Sequence, residues 1–197
     1  MNLLAHAFLS FDDQDILTGN MISDFVKGKK KFDYPKAIQH GIHLHRLIDE
    51  FTDFHPVTAK AKQFFRPAYR LYSGAFVDIV FDHFLAKDEI QFEPYHGLKE
   101  FTKITYQKLE TESVFFPGQF EMMFPYMKMQ NWLFEYRTTE GIHKSFGGLV
   151  RRSKYLKESE IAFKIFMEHY KDLEHCYSVF FPELKKYAFE KLAEIKG

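Results

Sequence analysis

The sequence is poor in cysteine, has no long apolar run and shows no excess of either charge. Cys176 is its single cysteine, which excludes an internal disulfide, an Fe–S cluster and a cysteine-rich zinc site. No apolar stretch approaches the roughly 18 residues of a membrane-spanning helix, and the N-terminal residues lack the basic segment of a signal peptide. These absences predict a soluble protein of the reducing cytoplasm.

The balance of charges limits the classes of partner. Lys and Arg together number 27, as do Asp and Glu, so no overall field attracts nucleic acid or an anionic membrane. A chain of 197 residues with no linker rich in Pro, Gly or Ser fits one domain, residues 1–197. The motifs GxxxxGK, GxSxG and CxxC are missing, which argues against three common kinds of functional site.

Hydrophobic periodicity predicts an all-α fold, a single-domain helical bundle. Strand signals are weak almost everywhere, whereas apolar residues recur at helical spacing, and 24 Phe with 11 Tyr predict a thick core. Pro35 and Pro67 are predicted helix starts. Helices are expected near residues 1–10, 14–27, 35–55, 67–87, 98–110, 119–136, 138–152, 158–180 and 183–195. Loops are expected at Lys29–Asp33, Glu93–Gly97 and Phe116–Gly118.

The densest group of polar residues lies at 41–56, in GIHLHRLIDEFTDFHP. At about 100° per residue, one arc of roughly 100° on a helix contains four of them. These four are His45, Arg46, Asp49 and Asp53. His43 lies about 60° beyond that arc, and His55, which precedes Pro56, is expected beyond the helix end. Imidazole and carboxylate are ligands of divalent metals, so this face is a candidate metal site.

A solvated, salt-bridged helix face would show similar residues. The flanking Ile, Leu and Phe residues argue for an inward position, where charges need a partner or a metal. Asp78 and Asp82 share a face of another apolar segment, VDIVFDHFLA, and would repel each other there without a cation or a proton. His6 in LLAHAFL and Asp24 in GNMISDFVKG also stand among apolar residues. Either could instead be an ordinary hydrogen-bonded or capping residue.

Several segments resemble one family in order and spacing. They are NLLAHAFLS at the start, SDFVKG at 23–28, GIHLHRLIDEFTD at 41–53, FDHFLA at 81–86, NWLFEYR at 131–137, GGLVRRSK at 147–154 and HYKDLEHCYSVFFPEL at 169–184. Together they resemble the acyl carrier protein phosphodiesterases, a divergent branch of the HD-domain phosphohydrolases. The adjacent His-Asp pair of ordinary HD domains is missing here, and Asp82-His83 has the reverse order.

The resemblance implies an all-helical, HD-like fold and a manganese-dependent reaction. Members of that family hydrolyse the phosphodiester between 4′-phosphopantetheine and a serine of acyl carrier protein, so this chain is expected to convert the holo carrier to the apo form. The matching polar positions are His6, Asp24, His43, His45, Arg46, Asp49, Asp53, Asp78, Asp82 and His83.

Roles follow from the chemistry of a phosphodiester. Asp24, His45, Asp49 and Asp78 are the expected metal-facing residues, with His6 and His43 as further ligands or orienting groups. Mn²⁺ is the expected ion, with Mg²⁺ or Fe²⁺ as alternatives. The expected catalytic residues are Arg46 on the phosphate, Asp82 or His83 as proton carrier, and Asp53 on the shared face.

Two other functions fit the same residues. The metal site could act on a nucleotide or another small phosphoester, or the polar residues could be salt bridges of a non-catalytic helical binding module. Carrier proteins are usually acidic, so a carrier substrate implies a basic rim. The candidates for that rim are Lys27, Lys29, Lys30, Lys31, Arg151, Arg152 and Lys154.

Overall fold

The computed structural model describes residues 1–93 and 96–197, and no strand occurs in these two ranges. The α-helices are α1 (Leu3–Phe8), α2 (Gln14–Ile22), α3 (Lys36–Phe54), α4 (Pro56–Tyr69), α5 (Ser73–Ala86), α6 (Gly97–Thr111), α7 (Gly118–Met129), α8 (Trp132–Glu135), α9 (Thr139–Arg152), α10 (Glu160–Glu168) and α11 (Tyr170–Lys196). Short 3-10 helices span Ser23–Phe25, Gly28–Asp33, Arg70–Tyr72 and Ser113–Phe115. The predicted all-α class is confirmed.

Some predicted helix starts and ends are confirmed. Helix α3 begins directly after Pro35 and ends at Phe54, because His55 takes the extended backbone that a following proline favours. His55 lies beyond α3, as predicted, and its Nδ1 atom accepts a hydrogen bond from the Val57 N–H at the start of α4. The backbone also leaves the helical conformation at Phe116 and Pro117, as expected for a loop there.

Other predicted bounds were wrong. Pro67 lies in the last turn of α4, which ends where Arg70 takes a positive φ of 48°. Pro182 lies inside α11, where the core contacts of neighbouring buried residues sustain the helix, so the break falls at His169 instead. The expected loop at Lys29–Asp33 is part of a 3-10 helix. The expected loop at Glu93–Gly97 lies partly outside the described residues.

Helices α2 and α3 cross at unusually close range. Every residue from Ile16 to Ile22 is buried, so α2 is a central helix of the fold. At the crossing, a Cβ atom on Gly19 would lie 2.1 Å from the Ile38 carbonyl oxygen, and one on Gly41 would lie 2.3 Å from that of Ile16. Only glycine allows this approach. The crossing brings the polar residues of the two helices into direct contact.

One continuous hydrophobic cluster joins residues from Met1 to Leu192. Its largest fully buried side chains are mostly phenylalanines, including Phe65, Phe76, Phe146 and Phe180. Within residues 1–93 and 96–197, no helix combines the length and the apolar character needed to cross a membrane.

We expect the substitution Gly41→Ala to destabilise the fold by about 1–3 kcal/mol or more, because its methyl group would overlap the backbone of α2. Gly118→Ala is the control, since a Cβ atom there meets nothing within 4 Å, and its effect should stay within about 0.5 kcal/mol. Urea unfolding followed by circular dichroism measures both. Equal midpoints for the two variants would contradict the tight crossing.

Candidate metal centre

Two imidazole rings lie face to face in the core. His6 from α1 and His45 from α3 stack with ring centroids 3.9 Å apart and planes 13° from parallel. Only 3% of His6 and 5% of His45 is exposed. Buried polar rings need partners for their nitrogens, and those partners decide which nitrogen of each ring carries a proton.

Asn20, on α2, provides a partner for each ring. The Nδ1 atom of His45 lies 2.8 Å from the backbone carbonyl oxygen of Asn20, which can only accept a hydrogen bond. The Nδ1 atom of His6 lies 2.8 Å from Oδ1 of Asn20, whose Nδ2 donates to the His6 carbonyl oxygen at 2.9 Å. Both Nδ1 atoms therefore donate, and in the neutral rings both Nε2 atoms carry a lone pair.

Carboxylates converge on these two Nε2 atoms. Oδ1 of Asp49 lies 3.2 Å from His6 Nε2, and Oδ2 of Asp49 lies 3.1 Å from His45 Nε2. Oδ1 of Asp24 lies 3.2 Å from the same atom of His45. His6 Nε2 is buried and makes no hydrogen bond within the described part of the chain, despite the nearness of Asp49. A ring nitrogen whose lone pair faces carboxylate oxygens in this way needs a positive charge between them, either a proton or a metal ion.

The ionisation of the cluster departs from that of free side chains. Burial and the nearby His45 lower the pKa of His6 to about 4. Burial also opposes a charge on His45, but Asp24 and Asp49 outweigh burial and raise the pKa of His45 to about 9. Burial alone would raise the pKa of Asp49, yet the imidazoles of His45 and His6 and the amino group of Met1 hold it well below its usual value. The carboxylates therefore stay ionised and attract positive charge.

A positive charge lies against the same carboxylates. The amino group of Met1 is 3.1 Å from Oδ1 of Asp78 and 3.5 Å from Oδ1 of Asp49. Burial opposes its charge, but the neighbouring aspartates outweigh burial and raise its pKa to about 10. A cationic group is thus stabilised where Asp49 and Asp78 meet.

The donor set fits a metal ion. Among the described residues, one group of potential ligands has its ligand atoms all within 4.8 Å of one another, and it consists of His6, His45 and Asp49. Neighbouring ligands of an octahedral ion with bonds of about 2.1 Å lie about 3 Å apart, close to the 3.1 and 3.2 Å between the Asp49 oxygens and the two Nε2 atoms. Each ring also has its other nitrogen fixed, as ligating histidines do.

A cleft of about 240 Å³ lies over the cluster, and we call it the acidic cleft. It is lined by Met1, Asn2, Asp24, Asp49, Thr52, Asp53, Ala75, Asp78, Ile79, Leu149 and Arg152. Asp53 is mostly exposed, and its Oδ1 atom forms an ion pair with Lys62 at 2.7 Å. Four carboxylates face this small volume, and Arg152 is the one arginine among its lining residues.

The structure brings together most of the residues singled out from the sequence. The members at the cluster or the acidic cleft are His6, Asp24, His45, Asp49, Asp53 and Asp78. Arg46 and His43 do not line the cleft. Nη2 of Arg46 donates to the Val26 carbonyl oxygen at 3.1 Å, and His43 is exposed beside Lys31. Consecutive helix residues point about 100° apart, so Arg46 turns away where His45 turns inward.

Asp82 and His83 lie outside the cleft with other partners. Asp82 is fully buried and accepts hydrogen bonds from the backbone N–H groups of Asn2, Leu4 and Ala5 at 3.2, 2.7 and 3.4 Å. Burial raises the pKa of Asp82 to about 7, while these donors favour its charged form. The His83 ring is held between the Tyr136 carbonyl oxygen at 2.7 Å and the Tyr170 hydroxyl at 2.9 Å.

Two residues of the site were not recognised as such from the sequence. Asn20 lies among apolar residues and belongs to no recognised motif. The available signal was its position in a buried helix, because a buried asparagine must find hydrogen-bond partners. Arg152 was expected only as part of a basic rim, and the structure places it at the acidic cleft. Its position depends on how α9 packs, which local spacing does not reveal.

These features define an all-helical protein with a buried histidine–carboxylate site that could hold a metal ion. A sequence profile described as acyl carrier protein phosphodiesterase matches residues 1–184, and the chain belongs to that family.

The chain is also similar to curated proteins. It is 30% identical to the acyl carrier protein phosphodiesterase of Photorhabdus laumondii, over 97% of this chain and 96% of that protein. It is 31% identical to the proteins of the same name from Enterobacter sp. strain 638 and Klebsiella pneumoniae strain 342, over 97% of this chain and 99% of each relative. No solved structure matches the chain.

We expect Asn20→Ala to weaken Mn²⁺ binding by about 10- to 100-fold. The substitution removes the amide oxygen that holds the His6 ring in place and fixes its tautomer. Thr18→Ala is the control. Thr18 is buried in the same helix and donates a hydrogen bond to the Gln14 carbonyl oxygen, but it makes no hydrogen bond to His6 or His45 in the described structure. Titration calorimetry measures affinity, and thermal melting checks the fold. Equal affinities in the two variants would remove Asn20 from the site.

Asp82→Ala should destabilise the protein by about 3 kcal/mol, because it leaves buried N–H groups at the start of α1 without their acceptor. Asp53→Ala removes an acid whose one ion pair among the described residues is at the surface, and should change stability by less than about 1 kcal/mol. Denaturant unfolding compares the two. A stable Asp82→Ala variant with lost activity would instead support Asp82 as a proton carrier.

Proposed function

We propose that this protein hydrolyses the phosphodiester that joins 4′-phosphopantetheine to a serine of acyl carrier protein, with a bound divalent cation. Membership of the family and the names of the relatives support the substrate. The observation that carries the cation is the pair of imidazole Nε2 atoms facing Asp49. The proposed place of action is the cytoplasm, which suits a chain with a single, buried cysteine.

His6, His45 and Asp49 would hold the ion, with Asp24 beside them and Asp78 toward the amino group of Met1. When bound, such an ion polarises a phosphoryl oxygen and lowers the pKa of a coordinated water. Mixed imidazole and carboxylate ligands favour Mn²⁺, with Mg²⁺ or Fe²⁺ as alternatives.

Charge in the acidic cleft supports the need for a cation. A phosphodiester is an anion, and four carboxylates line the cleft against one arginine and the amino group of Met1. The remaining excess of negative charge would repel the substrate unless it is neutralised.

The residues of this chain have separate tasks in the proposed reaction. Asn20 orients both imidazoles through their Nδ1 atoms. Arg152, at the cleft and exposed, takes the role on the phosphate oxygens that the sequence suggested for Arg46, because a guanidinium can donate two parallel hydrogen bonds to them. We assign Asp82 and His83 structural roles, since their polar atoms are already bound to the backbone of α1 and to two tyrosines.

Docking of the carrier would use the basic rim. Lys27, Lys29 and Lys30 are exposed near the 3-10 helix that follows Asp24, and Arg151 and Arg152 are exposed at the end of α9. An acidic partner on this rim would bring its modified serine toward the cleft.

The test is a mass measurement on holo acyl carrier protein incubated with the full chain and Mn²⁺. We expect the carrier to lose the mass of phosphopantetheine, and Asp49→Asn to reduce the rate by more than about 100-fold because the negative charge and one of the two oxygens of this ligand are lost. Glu110→Gln is the matched control, since in the described ranges this acid forms an ion pair with Lys128 alone, at the surface. Circular dichroism should show an unchanged helical content in both variants.

Three results would contradict this proposal. Full activity of Asp49→Asn would remove the buried cluster from the reaction. Cleavage of small phosphodiesters or nucleotides with an intact holo carrier would favour a small-molecule phosphohydrolase. A chain that binds no Mn²⁺, and whose melting temperature ignores the ion, would favour a non-catalytic module.

A further inference from the structure

A second pocket, of about 450 Å³, adjoins the acidic cleft, and we call it the α9 groove. It is lined by Asn2, Leu3, Gln130, Trp132, Glu135, Tyr136, Gly141, Lys144, Ser145, Gly148, Arg151 and Arg152. Asn2 and Arg152 line both pockets, so the groove and the cleft meet at these two residues. The volume falls in the range of roughly 300–1,000 Å³ that holds small molecules.

One face of α9 forms the floor of the groove. The residues of α9 that line the groove recur every three to four positions, at Gly141, Ser145, Gly148 and Arg152, which is the spacing of one helix face. Gly141 packs against the backbone of Glu135, whereas Gly148 leaves its part of the floor without a side chain. A Cβ atom on Gly148 would meet only the ends of Arg152 and Arg151, at 3.5 and 3.7 Å, so the space above it is free of backbone.

The walls of the groove are partly apolar and partly polar. Trp132 and Leu3 provide apolar surface, while Gln130 and Ser145 provide amide and hydroxyl groups. Arg151 and Arg152 form no ion pair with any carboxylate in the part of the chain described, so both guanidinium groups can bind an anion. The positive end of the groove therefore lies next to the four carboxylates of the cleft.

We propose that the α9 groove binds the pantetheine arm of the substrate, with its phosphate at Arg152. This inference rests on the proposed function. A phosphodiester at the junction has two branches, one leading to a protein and the other to a slender chain of two amides, a dimethyl carbon and a terminal thiol. The protein branch is too bulky for 450 Å³ and must leave through the open side of the cleft.

The chemistry of the arm matches the walls. Its amides need hydrogen-bond partners, and its methyl groups need apolar contact with Trp132 or Leu3. The phosphate then lies between Arg152 and the histidine–carboxylate cluster, where its charge is balanced from both sides.

The test compares two leucine substitutions at adjacent glycines. Gly148→Leu fills the groove, whereas Gly147→Leu adds the same side chain where a Cβ atom would point toward Arg151 and Ser159 and does not line the groove. Titration calorimetry with 4′-phosphopantetheine in the presence of Mn²⁺ should show at least about tenfold weaker binding to Gly148→Leu only. Binding of inorganic phosphate, measured in parallel, reports whether either leucine shifts the guanidinium groups of Arg151 and Arg152, which lie 3.4–3.7 Å from the added Cβ atoms, and binding of 4′-phosphopantetheine to Gly148→Leu should fall further than binding of phosphate. The KM for holo acyl carrier protein should rise in parallel.

Trp132→Ala is a second test in case Gly148→Leu does not fold. Trp132 lines the groove but is only partly buried, so its truncation removes groove surface without emptying the core. It too should weaken binding of 4′-phosphopantetheine while binding of inorganic phosphate is unchanged. The proposal is overturned if wild-type protein does not bind 4′-phosphopantetheine, if neither groove variant weakens binding, or if Gly147→Leu weakens binding as much.

Failure of this inference differs from failure of the proposed function. If wild-type protein removes the prosthetic group and Gly148→Leu retains its affinity and KM, the arm binds elsewhere and the proposed reaction stands. If wild-type protein binds 4′-phosphopantetheine in the groove but leaves holo carrier intact, the groove assignment stands and the proposed reaction fails.

Discussion

The close crossing of α2 and α3 is the constraint on which the site depends. Because Gly19 and Gly41 let the two backbones touch, the Asn20 carbonyl oxygen reaches Nδ1 of His45 at 2.8 Å, while the Asn20 side chain reaches His6 on α1 at the same distance. A wider crossing would separate Asn20 from His45 and release the tautomer of that ring. The packing of α2 against α3 thus sets the direction of the His45 Nε2 atom relative to His6, and the geometry of the candidate metal centre follows from it.

Burial has opposite consequences for the two groups of polar residues in this core. Asp82 and His83 are buried with complete sets of backbone or hydroxyl partners, and such residues stabilise a fold without requiring a ligand. His6 is buried with one nitrogen satisfied and the other directed at a carboxylate without a hydrogen bond. The unsatisfied nitrogen, and not the number of polar residues nearby, separates the site from the surrounding structural contacts.

The all-α class and the polar face of α3 could be predicted from periodicity, because helical spacing is a local property of the chain. The same local argument placed His45, Arg46, Asp49 and Asp53 on one face, and all of them except Arg46 lie at the cluster or its cleft. It could not place Arg152 or Asn20, whose positions depend on contacts between distant segments. It also assigned Asp82 to a shared face with Asp78, without revealing that backbone N–H groups of α1 would bind it.

The charges of the site form an ordered series from the core outward. The imidazoles lie deepest, carboxylates surround them, and the guanidinium groups of α9 lie outside these carboxylates. A cation at the carboxylates and an anionic phosphate at Arg152 would each reduce the repulsion that the other meets. By linkage, each should therefore strengthen binding of the other by the same factor. Without a bound cation, the carboxylates of the cleft would repel phosphate. Metal binding and substrate binding are therefore thermodynamically coupled.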